Sequence, residues 1–108
     1  MIKSGLGSMM KKAQEVQENM QKMQADLVNK TVTGQSGAGA VEIVLNGHYG
    51  CERVHISKEA QQESPEILEA LIAAAFNDAV QKVQELTQRE MSAITAGLNL
   101  PNGFKLPF

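Results

Sequence analysis

His48, Cys51 and His55 form an H-x2-C-x3-H pattern, a gathering of metal-ligand types within this 108-residue chain. A zinc ion needs ligand atoms converging to ~2.0–2.3 Å. If residues 51–57 form a strand, Cys51 and His55 project from one face but stand ~13 Å apart, too far to share an ion. Turn and polar-face positions account for the three residues better, and no metal site is expected. The run Gly34-Gln35-Ser36-Gly37-Ala38-Gly39 invites a phosphate-loop reading. It lacks the Lys-Ser/Thr pair and the G-x-G-x-x-G spacing, and a strand follows it instead of a helix. It reads as a turn requiring positive φ. Cys51 has no activating partner nearby, and no serine sits in a G-x-S-x-G elbow. Glu66, Glu69, Glu85 and Glu90 fall on solvated helix faces. The chain is not expected to be an enzyme, and neither a cofactor nor a small-molecule substrate is implied.

The basic residues carry more. Lys3, Lys11 and Lys12 cluster near the N-terminus, Lys22 follows three turns on, Arg89 lies late in the chain and Lys105 is in the tail. The net charge of −2 hides a division: residues 1–30 sum to +2, residues 31–57 to −1, residues 58–96 to −4 and the tail to +1. Nucleic-acid binding would therefore depend on a local patch, not on overall charge. Lys11 and Lys12 are the principal candidates for phosphate contacts, supported by Lys3, Lys22, Arg89 and Lys105.

The elements that must position these residues are legible in the spacing. From about Ser8 to Leu27 or Val28, Met9, Ala13, Val16, Met20, Met23 and Leu27 recur at intervals of 4, 3, 4, 3 and 4, a heptad seam. Ser8 is the expected N-cap. Val41, Ile43 and Leu45 alternate with Glu42, Val44 and Asn46, and after Asn46-Gly47 comes a second alternation through Val54 and Ile56. A short strand about Val32 completes a three-stranded antiparallel meander over residues 31–57. Ser64-Pro65-Glu66 opens a long second helix, N-cap followed by proline at the first helical position. It runs to about Ala96, with Gly97 closing it. Residues 97–108 contain Pro101 and Pro107 and form an irregular tail.

The predicted architecture is α+β, in the order α-β-β-β-α, within a single domain spanning 1–108. The second helix, ~50 Å long, overhangs a sheet ~15 Å across. A homodimer with projecting helical arms would cover what one chain leaves bare, with Met9, Val16, Met20, Met23 and Leu27 forming the helix seam. If the helices are antiparallel, Lys3, Lys11, Lys12, Arg89 and Lys105 gather at one end of each arm. The lone Cys51 suits a reducing compartment. The N-terminus has no signal-peptide run and no apolar stretch approaches ~20 residues, so a cytoplasmic protein without membrane contact is expected.

A series of short motifs links the chain to a known family. Gly5-Leu6-Gly7 with Met10-Lys11 is followed by Val32-Thr33-Gly34, Ser36-Gly37-Ala38-Gly39, Val41, Asn46-Gly47 and Arg53-Val54. Ala73-Ala74-Ala75-Phe76-Asn77-Asp78-Ala79 and Leu100-Pro101 with Gly103-Phe104-Lys105 complete the set. In this order and spacing the chain resembles the YbaB/EbfC family of bacterial nucleoid-associated proteins along nearly its whole length. The resemblance implies an α-β-β-β-α homodimer with tweezer-like arms that binds double-stranded DNA and influences nucleoid organisation and gene expression. It pins no individual contacts, so the lysine and arginine assignments rest on charge. A different reading is a dimeric protein-interaction adaptor, in which the Met-rich seam and the C-terminal tail bind another protein and the lysines only solubilise the helix.

Overall fold

The computed structural model describes residues 2–96, with side chains from residue 5 onward. The helix stop at Gly97, the tail and Lys105 lie outside the described residues, as does the side chain of Lys3. The order is α1 (Ile2–Leu27), β1 (Thr31–Ser36), β2 (Val41–Asn46), β3 (Cys51–Ile56), α2 (Lys58–Gln61) and α3 (Pro65–Ala96). The strands form an antiparallel sheet in the order β1-β2-β3. This is the predicted α+β meander flanked by long helices, with one short helix added.

β2 carries the core. Val41, Ile43 and Leu45 are buried, while Glu42, Val44 and Asn46 on the opposite face are only partly covered. The period-2 pattern in the sequence translates directly into two faces of the pleat. Over the buried face runs α3, contributing Ala75, Ala79 and Val83. Ser64 caps α3: its carbonyl accepts the Leu68 N–H at 3.0 Å and its Oγ the Ile67 N–H at 3.4 Å. Pro65 follows at the first helical position, where its missing N–H costs nothing.

The helix sits very close to β1, and Gly34 is the reason. A Cβ on Gly34 would come within 2.3 Å of the Ala79 backbone nitrogen and 2.4 Å of the Ala75 carbonyl oxygen. Gly34 is thus a packing residue inside β1, not part of the predicted turn. The turn itself shortens to residues 37–40, where Gly37, Ala38 and Gly39 take φ of 58°, 54° and 90°.

α3 also finishes the outer edge of β1. The Gln35 N–H donates to Asp78 Oδ2 at 2.9 Å, and Lys82 Nζ donates to the Thr33 carbonyl at 2.9 Å. Asp78 and Lys82, one helical turn apart, pair with each other at 3.1 Å. The Gln35 N–H, followed by Lys82, holds the Asp78 carboxyl below its ordinary value of 3.8.

At the other edge, β3 differs from expectation. A bulge between Val44 and Leu45 places Arg53 opposite Val44 but Cys51 opposite Leu45, leaving Glu52 as the extra residue. Cys51 therefore falls on the face of Leu45, whereas His55 pairs with Glu42 on the other. The predicted shared face of Cys51 and His55 is wrong because one inserted residue reverses the alternation. Val54 lies opposite the buried Ile43 on the helix-covered face, yet is 49% exposed. α3 covers β1 and β2 but scarcely reaches β3. The short helix α2 was not anticipated. Ser57 caps it, its Oγ accepting the Ala60 N–H at 3.1 Å, and Ala60 is buried in the core.

Candidate nucleic-acid interface

The first helix is an arm anchored at its foot. Leu27 is buried, and the Gly47 N–H donates to its carbonyl at 2.9 Å. The approach is so tight that a Cβ on Gly47 would lie 2.4 Å from that oxygen. His48 in the same loop brings Nε2 to 2.6 Å from the Gln24 carbonyl. The hairpin loop thus satisfies carbonyls that the last turn of a helix leaves without partners. His48 is engaged with α1, and Cys51 and His55 lie on opposite faces, so the H-x2-C-x3-H residues do not converge.

From this foot α1 runs antiparallel to α3. Lys30, just beyond α1, forms an ion pair with Glu90. Earlier residues of α1, Glu15 and Asn19, share a groove with later residues of α3, Ala93 and Ile94. The seam packs only in part. Met23 and Leu27 are buried and Val16 and Met20 half-buried, but Ala13 is exposed and Met9 is 68% exposed.

Helix α1 also begins earlier than predicted. It is helical from Ile2, so Ser8 is an interior residue and not a cap. Gly5 and Gly7 each cost about 1 kcal/mol in a helix, but no proline between residues 2 and 27 forces a stop. At 1.5 Å per residue α1 is about 39 Å long and α3 about 48 Å. The molecule measures 72 × 25 × 17 Å, with a radius of gyration of 20.0 Å. A compact chain of this length would have about 13 Å.

The candidate phosphate-binding residues separate along this arm. Lys11 and Lys12 are exposed on the outer half of α1, and neither forms an ion pair among the described residues. Lys22 lines the groove that also holds Glu15, Asp26 and Glu90, an acidic setting that opposes a phosphate. Arg89 lies with Glu85 and three glutamines on another face of α3. It stands near the level of the Lys30–Glu90 pair, and Lys11 is 19 residues from Lys30, roughly 28 Å of helix. Antiparallel packing therefore does not gather Arg89 with Lys11 and Lys12. Charge alone had no means of showing this, because the register between two helices depends on where each is anchored. Lys3 lies in the first turn of α1; its side chain, like Lys105, is beyond the described residues.

Two comparisons bear on this arrangement. A sequence model of the YbaB/EbfC DNA-binding family matches residues 3–98. The fold is similar to the crystal structure of an uncharacterized protein, HP0035, from Helicobacter pylori. The TM-score is 0.66 at 18% identity, over 85% of this chain and 95% of that one. No helix among the described residues is long and apolar enough to cross a membrane.

Proposed function

The chain belongs to the YbaB/EbfC DNA-binding family, and from that premise we propose that it is a non-enzymatic, nucleoid-associated protein gripping double-stranded DNA as a homodimer. The grip is on phosphates, from the outer half of each α1, and the consequence is an influence on nucleoid organisation and gene expression. The observation that carries this reading, beside the family match, is the exposure of Lys11 and Lys12 on a helix extending past its packed seam. Lys30 and Lys82 are committed to Glu90 and Asp78, Lys22 and Arg89 stand beside glutamates, and Arg53 and Lys58 belong to β3 and α2, so Lys11 and Lys12 are the cations whose described side chains lie on the outer half of the arm. Two arms per dimer supply four such charges, enough for binding that is strong at low salt and poor in sequence information.

Support for the second copy comes from the uncovered face beside α3. Val54 and Phe76 are 49% and 43% exposed. Phe76 stands two residues before Asp78, on the flank of α3 away from β1. Ile72 and Val80 beside it are only half-buried. A partner placed over β3 would cover this strip and leave both arms free. The adaptor reading loses ground on the same facts, since Met23 is consumed inside the chain and Met20 is partly so.

Fluorescence anisotropy on a ~30-bp duplex tests the proposal. Four phosphate contacts predict an affinity loss of about 100-fold between ~50 and ~200 mM salt. Lys11→Glu with Lys12→Glu should abolish that dependence while sedimentation still shows a dimer. Unchanged affinity in the double variant would overturn the placement of the grip.

A further inference from the structure

The outer part of α1 carries an apolar face that nothing in the described fold covers. Leu6, Met9, Met10 and Ala13 stand at i, i+3, i+4 and i+7, one side of a helix. Leu6, Met9 and Met10 are 56%, 68% and 66% exposed. This face is continuous with the seam of Val16, Met20, Met23 and Leu27. There α3 supplies the cover, through a groove that includes Ala93 and Ile94. The described part of α3 ends at Ala96, close to the level at which the α1 seam loses its cover. The chain that continues from that point is residues 97–108.

We propose that residues 97–108 dock along the Leu6, Met9 and Met10 face of α1, extending the cover that α3 begins. The sequence of the segment suits this role. It offers Leu98, Leu100, Phe104, Leu106 and Phe108, and its one charged side chain is Lys105. Pro101 and Pro107 prevent it from simply prolonging α3 as a regular helix. The reach is ample: twelve extended residues span about 40 Å, whereas Val16 to Leu6 is about 15 Å of helix. Burial of three large apolar side chains against two phenylalanines and three leucines gives the contact a driving force. Methionines suit an irregular partner because their side chains adapt.

Docking also has a consequence for the arm. Laid along α1, the segment brings Lys105 to the helix level of Lys11 and Lys12, adding a cation to the phosphate grip. That consequence rests on the DNA-binding reading; the docking does not.

Disulfide trapping in the full-length protein, without DNA, tests the docking. In a Cys51→Ser background, Met9→Cys or Met10→Cys is combined with Phe104→Cys, and Ser8→Cys with Phe104→Cys is the control. Ser8 is at the same height on the opposite side of the helix. The expected result is an intrachain disulfide in a Met-derived pair and none in the control, read by intact mass after mild oxidation. A covalent dimer in its place would mean that a second copy of α1 occupies the face, which overturns the proposal. Equal trapping in the control would overturn it too. A second measurement needs no engineered cysteine. Phe104→Ser with Leu106→Ser should speed peroxide oxidation of Met9 and Met10 several-fold, and unchanged rates would sink the docking. Failure of DNA binding would leave both readouts untouched, so the two readings fail separately.

Discussion

Along β1, the outward N–H of Gln35 ends on the Asp78 carboxylate and the Thr33 carbonyl receives the Lys82 ammonium. β3, at the opposite edge of the same sheet, receives nothing comparable from α3. Its last carbonyl, on Ile56, takes the Gln61 amide of α2. An edge strand with free backbone groups is a template for pairing with another chain, and inward-reaching charges are a standard way to blunt it. The difference follows from one packing decision. α3 lies against Gly34, so close to β1 that its polar flank reaches the strand's outer groups. The same shift leaves Val54 and Phe76 bare on the β3 side. One side of the sheet is finished within the chain; the other is where the proposed second copy fits.

Gly34 offers the most severe way to break this asymmetry. Any side chain there collides with the α3 backbone, which cannot give way as a flexible side chain could. Gly34→Ala should cost about 3 kcal/mol, at the upper end of overpacking effects. Gly34→Val should prevent folding, as read by urea denaturation followed by circular dichroism. An alanine variant of normal stability would mean that α3 is not seated on β1 as described.

The open side is probed next. Val54→Lys with Phe76→Lys should weaken the proposed dimer by on the order of 3 kcal/mol, about 100-fold in Kd. Sedimentation should then show monomers at micromolar concentration. Both residues are surface-exposed within the chain, so its fold should survive. A dimer of unchanged affinity would move the interface elsewhere, to the arms or to the outer face of the sheet.

How far the sequence foretells this arrangement differs from element to element. The alternation of Val41, Ile43 and Leu45 and the Ser64-Pro65 start of α3 are local signals, and the structure follows both. Gly34 was legible only as a residue permitting unusual φ; its actual role depends on Ala75 and Ala79, more than 40 positions away. A helix of four residues such as α2 is too short to show a period, although Ser57 was available as a cap signal. The bulge at Glu52 left no compositional trace, yet it decides which way Cys51 faces. For the basic residues, sequence supplied the candidates, and the register of α1 against α3 then separated Arg89 from Lys11 and Lys12 and set Lys22 in a groove with Glu90.

Asp78 gives the smallest effect and the sharpest test of the closed edge. Its pKa is lowered in the folded protein, first by the Gln35 N–H and then by Lys82. A carboxyl with a depressed folded value binds its proton more readily when unfolded. Its contribution to stability is therefore complete above the ordinary value of 3.8 and is lost as pH falls through the lower folded value. Asp78→Asn keeps an oxygen that can accept the Gln35 N–H but removes the charge facing Lys82. Wild type and variant should thus differ most near neutral pH and converge in acid, and moderate salt should shrink the gap because the pair is exposed. Urea midpoints for both proteins across the acid range provide the measurement. Two curves separated by a constant offset would show that the Asp78 charge does not hold this edge. Asp78→Ala with Lys82→Ala carries the comparison one step further. With Gln35 and Thr33 left unpartnered, β1 becomes a second open edge, and sedimentation should show species larger than the wild-type assembly.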